Sequence, residues 1–392
     1  MSDLDVFAAL LAPEGQTLLD ELRDHDPADE LAAATRLRRD HPAPLVSAAL
    51  GQARLRQRAA AKFGADAQRM YFTANGVEQS TRATVAAHRA NRLAALGVRS
   101  VADLCCGIGG DALALARAGI RVLAVDRDPL ACAAARANAA ALGLTELIEV
   151  RAADVTEVDT AGWDAVFVDP ARRSKVRGGR IFDPEAYSPP LSWAVEAART
   201  APFAALKIAP GVPHEMLPED AEAEWISDRG EVKEAVLWFG TAPGARRATL
   251  LPAGDSLLGA GLPDPEAGPV GRYLYEPDGA VIRAHLVAEA AAALDGRLID
   301  PTIAYVTADA LRPTPYATAY EITDVLPFNV KRLKALLRER GVGTAVIKKR
   351  GSAVEPEELR KKLKLGGGGN SVTIFLTRVA GAPTMLLGQP AH

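Results

Sequence analysis

Asp103-Leu-Cys-Cys-Gly107-Ile-Gly109-Gly110-Asp111 links an apolar run at residues 98–104 to a helix-like run at residues 112–118. Glycine suits such a junction because the backbone turns with φ > 0 and a ligand can approach where a Cβ would otherwise stand. The N–H groups at the start of the following helix have no partner within the helix and favour anionic or polar ligand groups. The segment therefore predicts a nucleotide-cofactor loop between a strand and a helix.

Strand-like and helix-like segments alternate over residues 81–252. The predicted strands are 98–104, 121–125, 147–151, 165–168, 204–208 and 235–239. Alternation of this kind predicts a parallel sheet with helices on both faces and ligands at the carboxyl ends of the strands. Segments 232–239 and 247–251 are joined by a turn too short for a crossover helix, so we expect the sheet to end in an antiparallel hairpin between them.

The pattern divides the chain into four parts. We predict a helical N-terminal region at 1–80, a Rossmann-like α/β domain with seven mostly parallel strands at 81–255, a linker rich in Gly, Pro and Asp at 256–271, and an α+β module at 272–392. The last part is expected to contain an alanine-rich helix at 281–294 and two basic helices at 330–340 and 355–365.

Bulk composition indicates an ordinary globular chain of 392 residues, about half of them apolar. No apolar run is long enough to span a membrane, and acids near the N-terminus do not suit a signal peptide, so we expect a cytoplasmic protein with no membrane partner. Three cysteines, Cys105, Cys106 and Cys132, lack CxxC spacing and nearby histidines. They are expected to be packing residues, and no metal site is expected.

Charge is unevenly distributed despite a net charge of -3. Residues 331–364 carry twelve Lys or Arg against four acids, and residues 171–180 carry five with no acid. Such segregation is typical of a locally basic binding face.

Carboxylates follow the predicted strands at regular places. Asp103 precedes the glycine turn, Asp126 ends the second strand, and Asp154 follows the third. An acid at the end of strand two is placed to accept hydrogen bonds from ribose hydroxyls. The glycines also satisfy a dinucleotide fingerprint, but a pyrophosphate would meet like charge at Asp103, whereas a sulfonium cofactor with a cationic tail would be attracted. Read singly, these acids could instead be helix caps or solvated strand ends.

At these positions the chain resembles the class I S-adenosylmethionine-dependent methyltransferases. Asp103-x-x-x-Gly107-x-Gly109 matches their first motif, Asp126 their ribose acid and Asp154 their adenine contact. The resemblance implies S-adenosyl-L-methionine as cofactor. The predicted cofactor contacts are Asp103, Cys105, Gly107, Gly109, Asp126, Arg127, Asp154 and Asp169.

Asp169-Pro170-Ala171-Arg172 follows the fourth strand. In the family, amino-directed enzymes carry Asp/Asn-Pro-Pro-aromatic here, which implies that Asp169 and Pro170 are catalytic and orient the target amine. Ala171 and Arg172 depart from that pattern and remove the stacking ring, for which Phe182, Tyr187 or Arg172 could substitute. Methylation at a pyrimidine carbon is disfavoured, since it needs a cysteine near the substrate and all three precede residue 133.

The C-terminal third, notably residues 325–334 and 340–351, resembles the THUMP-like domain that follows some bacterial methyltransferase domains. By analogy with THUMP modules, this implies RNA binding. The predicted nucleic-acid contacts are Arg172, Arg173, Lys175, Arg177, Lys348, Lys349 and Arg350. The same charges would also suit a solvated basic face.

Taken together, the sequence predicts an S-adenosylmethionine-dependent methyltransferase that acts on a base nitrogen of structured RNA, tRNA or rRNA. Two alternatives stay open: a protein or small-molecule methyltransferase, and a non-catalytic RNA-binding protein that retains the cofactor fold.

Overall fold

A computed structural model describes residues 2–172, 185 and 187–391, and of Arg172 the backbone alone. Two compact units make up the chain: Met1–Glu222 with Ala235–Gly244, and Ala223–Glu234 with Ala245–His392. The division into four parts that the sequence pattern predicts stays a prediction. No helix in the described residues is both long and apolar enough to cross a membrane.

Helices and parallel strands alternate in the first unit after an amino-terminal group of helices. The helices are α1 Asp3–Leu11, α2 Pro13–Glu21, α3 Glu30–Leu37, α4 Ala43–Phe63, α5 Ala74–Gln79, α6 Ala83–Ala95, α7 Gly110–Arg117, α8 Pro129–Ala141 and α9 Leu191–Ala198. The strands are β1 Ser100–Leu104, β2 Arg121–Asp126, β3 Ile148–Ala152, β4 Ala165–Val168, β5 Ala171–Arg172, β6 Tyr187–Ser188 and β7 Phe203–Ile208.

The next two strands are β8 Glu222–Asp228 and β9 Glu231–Phe239. Each of them contains residues of both units. Within the first unit the sheet order is β9–β7–β4–β1–β2–β3. Its strands are parallel apart from β9, which runs antiparallel to β7. All five parallel strands lie within two residues of the predicted segments, so the predicted Rossmann-like α/β class is confirmed. Four of these strands, β1, β2, β4 and β7, are short apolar runs that are mostly buried, which explains why the sequence pattern located them.

In-register pairing brings the carboxyl ends of the strands together. Leu104 of β1 pairs with Val125 of β2 and with Val168 of β4, and Val168 pairs with Leu206 of β7. All four strands are buried along their central residues. Residues that directly follow these positions therefore gather at one edge of the sheet, where α/β folds place their ligands.

The terminal hairpin has different partners from those expected. Strand β10, Arg246–Leu251, pairs in parallel with β8 and not with β9. The antiparallel hairpin at the sheet end is formed by β10 with β11, Asp255–Leu258. The sequence did not indicate β8 as a strand because it carries acids, yet Glu224 is fully buried there and accepts a 2.6 Å hydrogen bond from Thr249 Oγ1.

The rest of the second unit has the predicted α+β organisation. Its strands are β12 Tyr273–Pro277, β13 Arg297–Asp300, β14 Ile303–Ala308, β15 Ala317–Pro327, β16 Val342–Lys349, β17 Asn370–Val379 and β18 Ala382–Pro390. They form one sheet in the order β13–β14–β12–β15–β18–β17–β16. Its helices are α10 Gly279–Arg283, α11 Val287–Leu294, α12 Val330–Glu339 and α13 Pro356–Leu363.

The single alanine-rich helix predicted at 281–294 is wrong, because the chain breaks into α10 and α11. His285 lies between them with φ +58°. A left-handed residue cannot continue a right-handed helix, and alanine content alone does not report such a break.

Candidate active site

Three loop residues between β1 and α7 have positive φ: Cys105 at +69°, Gly107 at +55° and Gly109 at +85°. This conformation costs a residue with a Cβ roughly 1–2 kcal/mol, which favours glycine. A Cβ at Gly109 would approach Ala135 Cβ to 3.2 Å, whereas one at Gly107 would meet nothing within 4 Å. Gly109 is thus required by packing on α8, and Gly107 borders open space.

Side chains from two helices hold an extended segment at residues 70–72 beside this loop. The fully buried Asn138 amide on α8 donates to the carbonyls of Tyr71 at 3.1 Å and Ile108 at 2.9 Å, and its oxygen accepts from the Tyr71 N–H at 2.6 Å. Gln52 on α4 pairs in the same way with the Phe72 backbone. The cofactor loop and the N-terminal helices therefore share one buried hydrogen-bond network.

Helix α5 approaches the loop from the same region. A Cβ built on Gly76 would lie 2.6 Å from Ile108 Cγ2, so only glycine fits against the loop at this point. The N-terminal helices thus form part of the surroundings of the loop, a contribution that the sequence patterns did not indicate.

Asp103 is completely buried, and both of its carboxylate oxygens lack a hydrogen-bond partner among the described residues. Burial, followed by the charges of Asp111 and Asp169, raises the pKa of Asp103 well above its ordinary value, and Arg89 offsets this only in part. Arg89 is itself buried and ion-paired with Asp111. A buried carboxyl without a partner costs free energy, so this position is suited to receive a cationic ligand group.

Asp126 is half-buried, and its two oxygens accept from the backbone N–H groups of Gly107 and Asp128, both at 2.9 Å. These bonds hold the carboxylate of Asp126 at the end of β2, beside the glycine loop. Arg127, the next residue, is exposed.

Asp154 caps the short 3₁₀ helix Val155–Glu157. Its Oδ1 accepts from the Thr156 N–H at 2.9 Å and from the Thr156 hydroxyl at 2.7 Å. These hydrogen bonds lower the pKa of the exposed Asp154 carboxyl. Asp154 therefore acts as a helix cap through Oδ1, as one interpretation of the sequence suggested. Its Oδ2 accepts no hydrogen bond from the described residues.

Both loop cysteines, Cys105 and Cys106, are half-buried. Burial is the main cause that raises the pKa of each thiol, and nearby carboxylates raise both further. Neutral thiols of this kind act as packing groups and not as nucleophiles. No group of three or more His, Cys, Asp or Glu side chains in the described ranges could hold a metal ion.

Asp169 follows β4 and forms an ion pair that the sequence patterns did not indicate. Lys207 Nζ on β7 lies 2.7 Å from Asp169 Oδ2 and donates to Thr81 Oγ1 at 2.9 Å. The available signal was a lone charged residue near the end of an otherwise apolar strand, since lysine is rarely buried unless it is paired. Lys207 and Thr81 thus join the predicted site residues.

The segment after Asp169 begins with the buried Pro170. A two-residue antiparallel ladder follows, in which Ala171 pairs with Ser188 and Arg172 with Tyr187. Tyr187 is 7% exposed, and its hydroxyl accepts a 3.3 Å hydrogen bond from the Ala209 N–H. Tyr187 is therefore a fixed wall and not an exposed stacking ring. The predicted contacts Arg173, Lys175 and Arg177, and the candidate ring Phe182, lie outside the described residues.

Comparison with known proteins identifies the family. Two curated proteins of Mycobacterium tuberculosis, from strains CDC 1551 and H37Rv, are each 37% identical to this chain over 337 residues, which is 83% of this chain and 90% of theirs. Both are described as uncharacterised S-adenosylmethionine-dependent methyltransferases. This chain belongs to the S-adenosylmethionine-dependent methyltransferases.

Other comparisons agree with this methyltransferase identity. A methyltransferase domain model matches residues 101–171, a THUMP domain-like model matches 317–390, and a domain of unknown function matches 3–59. A solved structure from Porphyromonas gingivalis W83, described as a methyltransferase, is 23% identical to this chain with a TM-score of 0.81. The match covers 100% of this chain and 100% of that chain. That likeness shows a shared fold. The predicted cofactor, S-adenosylmethionine, is confirmed by the family.

The THUMP-like region of the methyltransferase uses its predicted strand-end cations internally. Lys348 and Arg350 both pair with Glu276 of β12, and they lie over the rings of Tyr320 and Tyr305 at 5.3 and 5.1 Å respectively. Lys349 pairs with Glu355. The charges predicted to contact nucleic acid at 348–350 are thus largely committed within the second unit.

A different basic surface of the methyltransferase lies on α12 and α13. Leu333 and Leu337 of α12 and Leu359 and Leu363 of α13 are buried in one apolar cluster with β16, β17 and β18. The opposite sides of the two helices expose cations for which the described residues provide no ion pair: Lys331, Arg332, Lys334, Arg338, Lys361, Lys362 and Lys364. We call these seven residues the basic helix surface.

Proposed function

We propose that this methyltransferase transfers a methyl group from S-adenosylmethionine to a base nitrogen of structured RNA, tRNA or rRNA. The observation that supports an RNA substrate is the basic helix surface on a THUMP-like unit in the same chain as the methyltransferase site. Six exposed cations on α12 and α13, and Lys364 directly after α13, suit a phosphate backbone, and both helices pack in one apolar cluster. A small-molecule substrate would not account for the exposed positive charges of the basic helix surface.

The residues around the glycine loop fit the cofactor. S-adenosylmethionine carries a sulfonium and an ammonium group, and the buried oxygens of Asp103 that lack partners suit such cationic groups. Asp126 is assigned to the ribose hydroxyls, because each oxygen keeps a lone pair after accepting one backbone N–H. Asp154 Oδ2 is assigned to the adenine amino group. Cys105, Gly107, Gly109 and Arg127 complete the proposed contacts.

Asp169 and Pro170 are assigned to the acceptor. Bound S-adenosylmethionine supplies a methyl group made electrophilic by its sulfonium. Asp169 Oδ1, which receives no hydrogen bond from a described residue, accepts one from the acceptor amine, and the Pro170 carbonyl accepts a second. An aryl amine is too weak an acid for a carboxylate to deprotonate outright, so Asp169 orients the lone pair and stabilises the positive charge that develops on nitrogen.

The basic loop after Pro170 is assigned to the RNA strand near the site. Arg172, Arg173, Lys175 and Arg177 remain proposed phosphate contacts on the strength of their sequence. Lys348, Lys349 and Arg350 are assigned a smaller part than the basic helix surface, because their ion pairs would have to be exchanged for phosphate contacts.

The test is transfer of labelled methyl from S-adenosylmethionine to total RNA, total protein and a small-molecule extract, each from cells that lack the gene. We expect label in RNA, and a methylated base after digestion to nucleosides and mass spectrometry. Asp169→Ala is expected to reduce transfer by about 100-fold, with cofactor affinity nearly unchanged in calorimetry. Label in protein or extract alone would reject the RNA proposal, and an Asp169→Ala enzyme of normal activity would reject the assigned role.

A further inference from the structure

Lys207 lies where the register of the sheet brings two strand ends side by side. Val168 of β4 pairs with Leu206 of β7, and Asp169 and Lys207 directly follow these two residues. The resulting contact joins Lys207 Nζ to Asp169 Oδ2 at 2.7 Å. Because both residues extend from neighbouring parallel strands, the ion pair is set by the sheet and not by a flexible loop.

The ion pair is sheltered from solvent. The Lys207 side chain is 13% exposed and that of Asp169 is 28% exposed. Thr81, just before α6, is 6% exposed and accepts a 2.9 Å hydrogen bond from Lys207 Nζ. A charge-assisted hydrogen bond in such surroundings is stronger and more directional than an ion pair at the surface.

Charge balance gives the same picture. Asp111 and Asp169 both contribute to the negative field at Asp103. Arg89 pairs with Asp111, and Lys207 pairs with Asp169. Lys207 thus supplies the positive charge that balances Asp169, the carboxylate directly after β4.

We propose that Lys207 is a positioning residue for methyl transfer, and that Thr81 fixes the Lys207 ammonium. Lys207 binds Asp169 Oδ2 and thereby turns Oδ1 toward the acceptor. The inference rests on the proposed function, because it requires Asp169 to bind the acceptor. It adds two residues, Thr81 just before α6 and Lys207 of β7, to the reaction site.

The test compares Lys207→Met, Lys207→Arg and Thr81→Val with Asp169→Ala in the full-length chain, on whichever fraction accepts the methyl group. Lys207→Met should lower kcat by about 100-fold with little change in cofactor Kd. Lys207→Arg should recover most of that loss, because it keeps the cation. Thr81→Val should lower kcat by about fivefold, as expected for one hydrogen bond.

Lys233→Met is the matched control. Lys233 is a strand lysine of similar exposure, 16%, and it pairs with Glu231. The control should keep normal kcat, and Lys207→Met should melt at the same temperature as the control. If Lys207→Met does not fold, Thr81→Val carries the test, because it leaves the lysine in place.

The outcomes separate this inference from the proposed function. An inactive Asp169→Ala with a fully active Lys207→Met overturns the inference alone. A fully active Asp169→Ala overturns the proposed role of Asp169 and the inference with it. Equal loss of kcat in Lys207→Met and Lys207→Arg, accompanied by loss of cofactor binding, shows a merely structural lysine and also overturns the inference.

Discussion

Substitution of Asp103 by Asn should abolish the pH dependence of cofactor binding. The buried Asp103 has a raised pKa, so the cofactor-free protein keeps a proton on this carboxyl to a higher pH than an exposed Asp would. A cationic ligand group favours the carboxylate, so binding must release that proton. Below the raised pKa, affinity for S-adenosylmethionine should therefore rise about tenfold per pH unit. Asp103→Asn has no proton to release, and its affinity should stay flat.

The size of the effect follows from the hydrogen bond that is removed. A hydrogen bond to a charged partner contributes about 1.5–3 kcal/mol, so Asp103→Asn should weaken cofactor binding roughly 10- to 150-fold at a pH where Asp103 is ionised. At lower pH the two proteins should converge, because protonated Asp103 resembles Asn. The difference is thus expected to grow as pH rises.

Calorimetry in buffers of different ionisation enthalpy measures both affinity and proton release. The pH range extends from acidic pH to just below the titration of an α-amino group, at about 7.7–8.0. Asp128→Asn is the matched control, because Asp128 is exposed and Asn can still cap α8. Wild-type protein that binds the cofactor without releasing a proton, with the same Kd across this range, would refute the reasoning.

Three further predictions concern the loop, its support and the basic surface. Gly109→Ala should lower the free energy of unfolding of the cofactor-free protein more than Gly107→Ala, because only its Cβ meets Ala135, and denaturant titration measures both. Asn138→Leu should cost about 3 kcal/mol or more, since it leaves buried backbone groups of Tyr71 and Ile108 unpaired, and the same titration checks this. Charge reversal at Lys331, Lys334, Lys361 and Lys362 should weaken RNA binding and flatten its salt dependence by roughly one unit of slope for each phosphate that the variant no longer binds. Lys349→Gln, whose lysine is already paired, should have little effect in the same filter-binding assay, and an unchanged slope after charge reversal would count against the basic helix surface.

The predicted α/β fold was accessible from sequence because β1, β2 and β4 are short apolar runs with an acid at or directly after the strand end. The run that ends at Leu104 and the one that ends at Val168 are each buried throughout. Local patterns of this kind fix where a strand stops, so they also indicate which residues reach the carboxyl edge.

Pairings between distant segments were not accessible in the same way. The bond from Lys207 to Asp169 depends on β4 and β7 being neighbours, and the pairing of Lys348 with Glu276 depends on the arrangement of a whole sheet. The acidic residues of β8 hid its strand character, because the hydrogen bond from Thr249 that satisfies the buried Glu224 comes from another strand. Such interactions join residues far apart in the chain, and neither periodicity nor spacing reports them.

The shared network of Asn138, Tyr71 and Ile108 has a consequence for modular evolution of this protein. The Asn138 side chain links the backbone of the segment after the amino-terminal helices to the backbone of the cofactor loop. Recombination near residue 80 that replaced these helices with an unrelated segment would therefore remove hydrogen bonds that support the loop. A Cβ at Gly76 would push directly on that loop. Shuffling is therefore expected to preserve this amino-terminal segment together with the enzyme half, as one inherited block.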